Sequence, residues 1–370
     1  MSLKIARWRP VRAFASLQFT VICLLFMALL VIGGTILQAE KGINAAQQTI
    51  FQSWIFRLFG VLPLPGMLLV GVLLSFNLLS AIVFRLKYSW SGLGILLIHI
   101  GLLVLLAGGF VSSQYAREYF MTLGEGESSQ MADAAHEWEL AVWTEAGGKK
   151  QVLAIDIADL RPGKPWKISK PDLELAMMRF FVNCRPADTA TGEEMVLNEF
   201  SPAADPAENV PGAIVTILSP PSGPHRIVLF AGDNAPATWV YSDRRYHFSL
   251  RLKRIILPLQ IKLVHFEKTV YPGSDIPKSF ASRVEIESQG LRREALISMN
   301  RPLRFQEYTF YQSGYEEDGQ NGNRSTFAVV KNAGRWLPYI SSALIFLGLA
   351  VHFLGQLIAA LRKSSPGVTS

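Results

Sequence analysis

Cysteine is the scarcest chemically useful residue in this chain, with two among 370 residues. Cys23 lies inside an apolar run and Cys184 lies far from it, so no disulfide framework is expected. There is no CxxC pair, which excludes a thioredoxin-like redox centre and a zinc knuckle. There is no CxxCH, so the chain is not itself a c-type cytochrome. Also missing are a phosphate-binding glycine loop, a recognisable Ser-His-Asp set and paired carboxylates in a catalytic frame. No residue is therefore assigned a catalytic role. Charged residues make up only 18% of the chain, with 36 basic against 29 acidic side chains. Much of the basic excess flanks apolar segments, which reads as membrane topology, and no nucleic-acid partner is expected.

Apolar residues are abundant. Half the chain is hydrophobic and the mean hydropathy is +0.25, a value between soluble and fully membrane-embedded proteins. Four segments approach the ~20 apolar residues a helix needs to cross hydrocarbon: 17–37, 66–84, 92–111 and 336–360. Backbone groups in lipid must bond within their own segment, so each is read as a helix. Lys4, Arg7, Arg9 and Arg12 precede the first, Arg85 and Lys87 fill the loop after the second, and Arg362 and Lys363 follow the fourth. Four crossings place all three clusters on one side, the cytoplasmic one. The N-terminus (1–16) and the tail (361–370) are then cytoplasmic. No small-x-small cleavage site follows the first run, so it is expected to stay.

Two regions fall outside. Segment 38–65 has apolar residues at Ile43, Ala46, Ile50, Phe51, Trp54, Ile55, Leu58 and Leu62. This spacing predicts an amphipathic helix on the outer surface with Trp54 at headgroup depth, or a loop packed on the outer domain. Segment 112–335 reads as strands, among them EWELAVW, AIVTILS, HFSLRL, LQIKLVHF and STFAVVK, divided by turns such as RPGKP and YPGSD. The expected fold is therefore four transmembrane α-helices plus a large extracytoplasmic, antiparallel β-rich domain, a sandwich or open barrel, inserted between the third and fourth spans.

His99 is the one titratable group of the third span. Gly94, Gly101 and Gly108 recur every seven residues there and form a smooth stripe suited to close helix packing. At 100° per residue His99 points about 200° away from Gly101, toward a groove or another subunit. Two readings stand at this point. The imidazole is neutral and bonded to a serine or a backbone carbonyl, or it is an axial ligand to haem iron, where coordination offsets the cost of burial. His352, counted from the inner ends of the third and fourth spans, is placed at similar depth, which allows a second ligand in the same chain. His136, His225, His247 and His265 show no metal-ligand spacing. The basic run Arg244, Arg245, Arg251, Lys253 and Arg254 is either a solvated strand edge or a carboxylate-binding patch. Tyr308, Phe310, Tyr311 and Tyr315 read as core packing or as an aromatic grip.

Several stretches together resemble the ResB/CcsB family of system II cytochrome c biogenesis. They are ASLQFTVICLLFMALLVIGGTILQ with Ser16, Gly34, Thr35 and Gln38, the single-histidine third span followed by LGEGES, and YPGSDIPKSFASRVEI. The most specific is ISMNRPLRFQEYTFYQSGY, with Asn300, Pro302, Leu303, Phe310, Tyr311 and Gln312. The resemblance implies a non-catalytic or co-catalytic subunit of a haem lyase. Such a subunit works with a ResC/CcsA partner, and together the two move haem outward and attach it to CxxCH apocytochrome c. The resemblance implies that the partner contributes a Trp-rich motif of WxxWD type, and no such motif occurs here. The resemblance carries a haem-ligand role to His99 only. The alternatives are a membrane-anchored β-domain that scaffolds another envelope complex, and a b-type haem electron-transfer subunit.

Overall fold

A computed structural model describes residues 13–86, 88–146, 149–169, 172–187, 195–203, 205–218, 223–233, 235–242, 244–318 and 322–364. The basic residues Lys4, Arg7, Arg9, Arg12 and Lys87 lie outside them, as does the end of the tail. The chain divides into two units, residues 1–116 with 332–370, and Arg117–Lys331.

Among the described residues the first unit holds four helices long and apolar enough to cross a membrane: α1 (Leu17–Ala46), α2 (Met67–Phe84), α3 (Leu93–Tyr115) and α4 (Leu337–Ser364). Ser16 caps α1 by accepting a hydrogen bond from the Phe19 amide. Asn77 is buried in α2. Its amide donates to the carbonyls of Phe14 and Ser16, and its Oδ1 accepts from the Thr20 hydroxyl at 2.7 Å. The Arg85 guanidinium donates to the Ala15 carbonyl at 2.7 Å. Polar groups in the bundle thus find partners at the start of α1, and this fixes the α1–α2 register.

The glycine stripe of α3 packs on α4. A methyl placed on Gly94 would lie 2.6 Å from the His352 amide nitrogen and 2.7 Å from the Gly348 carbonyl. On Gly101 it would meet Ile345, and on Gly108, Leu337. The Ser341 hydroxyl, buried in α4, donates to the Gly101 carbonyl at 2.9 Å.

Segment 38–65 departs from the single surface helix its spacing suggests. Helix α1 kinks at Gly42 (φ 84°, ψ 165°) and runs to Ala46. A π-helical turn follows at Gln47–Phe51, then the hairpin β1 (Ile55–Leu58) and β2 (Leu62–Pro65). The physical reason is local. Gly42 takes a positive φ that glycine alone adopts freely. Phe59 and Gly60 both take positive φ at the hairpin tip. Pro63 and Pro65 forbid helix in the last third.

The second unit is antiparallel β with short 3₁₀ turns. Its main sheet runs β15 (Leu291–Ser298), β14 (Pro277–Ser288), β13 (Arg244–Val270), β4 (Ser128–Ala146), β3 (Arg117–Gly124), β18 (Gly322–Lys331), β17 (Tyr308–Asp318), β16 (Leu303–Phe305). Strand β12 (Ala237–Tyr241) also pairs with β13, and β5 (Lys149–Asp156) with β4. The sheet curls until β14 and β15 come back against β17. Leu259, Ile261, Leu263, Val284, Phe310 and Phe327 fill the inside of this open barrel. A ring of hydrogen bonds crosses it. Ser282 Oγ donates to Gln312 Oε1 at 2.7 Å, Gln312 Nε2 donates to Ser325 Oγ at 2.7 Å, and the two serine hydroxyls lie 2.8 Å apart.

A smaller sheet, β11 (His225–Phe230), β10 (Gly212–Ile217), β7 (Asp172–Phe181), β6 (Pro165–Ser169), lies over the other half of β4 and β13. Leu140, Val142, Phe248 and Leu250 meet Leu175, Val215 and Leu229 there, so a sandwich sits beside the barrel. A short ribbon, β8 (Cys184–Pro186) with β9 (Leu197–Glu199), packs Cys184 and Leu197 against Phe181 of β7. HFSLRL and LQIKLVHF, two strands by sequence, are one 27-residue strand that serves both cores.

Candidate functional site in the third helix

The face of α3 opposite the glycine stripe carries Leu96, His99, Leu103, Leu106 and Phe110, at intervals of three and four residues. The glycines lie roughly 180–220° around the helix from His99 at 100° per residue. Since they hold α4, the imidazole points away from α4.

Two clefts open on that face. The inner one, about 330 Å³, is lined by Leu86, Tyr88, Trp90, Leu93 and Leu96 among others. The outer one, about 590 Å³, is walled by Met27, Phe51, Trp54, Met67, Leu103, Leu106 and Phe110 among others. Both fall in the ~300–1,000 Å³ range of small-molecule and cofactor sites. The outer cleft is overwhelmingly apolar, with Ser75 and Ser113 as its hydroxyl groups. The Ser75 hydroxyl already donates to the Gly71 carbonyl at 2.8 Å. His99 stands three residues from Leu96 and four from Leu103, between the two.

His99 is half-buried, and its Nδ1 lies 2.8 Å from the Ile95 carbonyl oxygen. A carbonyl only accepts, so Nδ1 carries the proton and donates. In the neutral ring Nε2 is then the unprotonated nitrogen with a free lone pair. Among the described residues nothing hydrogen-bonds it. The backbone bond is the one a plain buried histidine makes. It is also the arrangement a metal-ligating histidine uses to fix its tautomer.

His352 is placed differently. Its amide nitrogen faces Gly94, which sets it about five residues, or ~7.5 Å at 1.5 Å per residue, inward of His99 along the helix pair. Its Nε2 lies 3.0 Å from the Gln356 side-chain amide nitrogen, a donor, so that lone pair is taken. The structure does not bring the two imidazoles together. Counting from span ends puts them at one depth because it ignores the register that the glycine contacts impose.

In the β unit the basic run is largely neutralised. Arg251 pairs with buried Glu139 at 2.8 Å, Arg254 with Asp133 at 3.0 Å, and Lys253 with Asp156 at 2.5 Å and Glu137 at 3.2 Å. Burial pushes the Asp156 carboxyl up, but the hydrogen bonds from Lys253 and the Ala158 amide outweigh it and hold it below its ordinary value. The hydrogen bond to Asp156 holds the Lys253 amine above its own, against partial burial. Arg244 and Arg245 are exposed at the start of β13. Tyr308 and Phe310 are buried in the barrel core, Tyr315 packs on Phe266 and Phe280, and Tyr311 is exposed.

His136 is exposed, His225 stacks on Trp239, His247 stacks on Trp143, and His265 pairs with Glu125 at 3.0 Å. No group of three or more potential metal ligands occurs among the described residues. Burial raises the Cys184 thiol, with Glu199 adding to it, so this cysteine is a poor nucleophile. Sequence reasoning missed Asn77, although one amide in an otherwise apolar span is itself a signal.

Residues 224–328, from β11 into β18, match the model of the ResB-like family. Over 104 residues the chain is 33% identical to Protein NrfI of Wolinella succinogenes, a stretch that is 28% of this chain and 11% of NrfI. The chain thus spans a small fraction of that relative's length. His99 lies outside the residues matched to the family model.

Proposed function

We propose that the chain is a ResB-like protein, a reading supported by the match of residues 224–328 to that family's model and by the 33% identity to NrfI over 104 residues. On that reading it is the membrane subunit of a cytochrome c maturation complex in the inner membrane, with N- and C-termini cytoplasmic and the β unit periplasmic. Working with a ResC/CcsA-type partner, it carries haem outward as cargo and supports its attachment to CxxCH apocytochrome c.

The observation that carries the reading is the His99 tautomer. The Ile95 carbonyl holds the Nδ1 proton and orients the ring. Nε2 is left as a lone-pair donor on an apolar helix face flanked by two clefts. These features fit an iron porphyrin: imidazole nitrogen for the metal, apolar walls for the ring, and exclusion of water to protect the iron. His99 supplies one axial position. The tight α3–α4 contact leaves the histidine face to be covered by the partner, which supplies the other. The β unit receives the apocytochrome, and thioether bonds form at the partner's outer site. An electron-transfer cytochrome using His99 and His352 is disfavoured by their register and by the Gln356 contact of His352.

Co-expression with the partner, purification and absorption spectroscopy test this. His99→Ala and His99→Gly complexes are expected to lose haem and to stop cytochrome c maturation, with added imidazole restoring both. Full haem with an unaltered spectrum in His99→Leu would refute it.

A further inference from the structure

Between Gly42 and Met67 the sequence has a single charged residue, Arg57, against 18% charge across the whole chain. Such a connection is out of character for a loop in water. Its path explains the composition. The kink at Gly42 reverses the chain, and Phe51 returns to α1, where its ring fills the space a methyl on Gly34 would need. Gly34 is eight residues before Gly42, or ~12 Å back along the helix. It lies within the apolar stretch of α1. The hairpin therefore starts at the depth of Gly34 and not above the end of the span. Phe51 and Phe56 pack there with the cluster of Cys23, Leu30, Ile50, Val70 and Leu74. Gly66, at the start of α2, donates its amide to the Trp54 carbonyl at 2.8 Å, so the hairpin base stays at this level.

The rest of the hairpin is apolar and uncovered. Phe59 is 92% exposed, Val61 83%, Ile55 63% and Leu62 54%. Part of its backbone is satisfied internally. Four residue pairs form the ladder, and Gln52 N–H bonds the Gln47 carbonyl at 2.7 Å. A proline sits in a two-stranded hairpin only where its missing N–H would point outward. Pro63 and Pro65 thus strip two donors from the free edge of β2.

We propose that the segment from Ile43 to Pro65 is re-entrant, with the apolar tip of its hairpin embedded among the acyl chains of the outer leaflet. Arg57 reaches from it to the lipid phosphates. The surface is continuous with the lipid-facing side of α1, where Ile32 and Ile36 are each 57% exposed. The occupant is phospholipid, and the inference stands whether or not the chain handles haem.

The test uses the full chain in phosphatidylethanolamine–phosphatidylglycerol liposomes. Both native thiols are buried, so a nitroxide attaches to an introduced cysteine. Phe59→Cys is compared with Ile36→Cys on α1 and Leu291→Cys on the β unit, with Val61→Cys as a second variant should Phe59→Cys not fold. Oxygen and a nickel chelate compete for the label. The expected result is oxygen access matching position 36, with nickel collisions severalfold below position 291. Nickel access equal to that at 291 overturns the proposal, since the tip is then in water. Exclusion of both reagents also overturns it, since protein then covers the tip.

Discussion

Gly94→Ala separates tight helix packing from mere smallness. The added methyl would sit 2.6 Å and 2.7 Å from two backbone atoms of α4, the His352 nitrogen and the Gly348 oxygen, where ordinary contact begins near 3.4 Å. Relief requires about 0.8 Å of movement (3.4 − 2.6) by a helix backbone, since no side chain can rotate away. A radial gap of ~0.5–1 Å forfeits roughly a quarter to a half of a van der Waals contact, and the α3–α4 seam loses it over several turns. Overpacking of this kind costs about 1–3 kcal/mol, or roughly 2–12 °C in melting midpoint for a unit of this size. The control is Gly109→Ala, one residue beyond the stripe, where a methyl meets nothing within 4 Å. That change is expected to be neutral or to stabilise by up to ~1 kcal/mol through helix propensity. The assay is thermal unfolding in detergent, read by a thiol-reactive dye on buried Cys23 in a Cys184→Ala background. Equal midpoints for the two variants would refute the close seam, and with it the argument that His99 faces away from α4.

The Ser282–Gln312–Ser325 ring gives a second expectation. Gln312→Leu leaves the Ser282 and Ser325 hydroxyls only each other, so one of the two buried donors loses its acceptor, at about 1–3 kcal/mol, and the denaturant midpoint of the β unit falls; an unchanged midpoint would contradict a barrel-closing role. The Lys253–Asp156 pair gives a pH expectation. The depressed Asp156 contributes above its unfolded pKa and loses that contribution as pH falls through the folded value, while the raised Lys253 loses its own as pH rises through its folded value. The Lys253 and Asp156 side chains are 34% and 26% exposed, so solvent screening limits the pair to ~1 kcal/mol or less. Asp156→Asn should flatten the acid limb of urea midpoint against pH, and identical limbs in variant and parent would remove the pair from the account.

Class and order of elements are legible in the sequence because burial in lipid and alternation in strands leave one-dimensional traces. Four apolar runs are α1 to α4, and most of the strand segments are strands. The first outer segment misleads because its apolar spacing suits a helix locally. What overrides it is the reversal at Gly42 and the seat of Phe51 on Gly34, contacts made across the fold. The pair Pro63 and Pro65 is visible and argues against helix. His99 and its glycine stripe are legible as a helix face. The offset of His352 is not, because register comes from which backbone atoms fit against Gly94. Likewise Gln312 reads as one more strand residue until β14 and β18 bring Ser282 and Ser325 to it.

Strand β3 opens the β unit and β18 closes it, and the two pair directly, Arg117 opposite Lys331. On the helical side Ser112 donates to Asn332 at 3.2 Å, so the end of α3 and the segment leading into α4 also meet. The β unit is therefore a cassette, spliced into a helical hairpin at a single point. Insertions, deletions or wholesale replacement between Arg117 and Lys331 leave the residues of the α3–α4 seam unchanged. The same geometry means that the ribosome must finish over two hundred residues before the glycines of α3 find their mate.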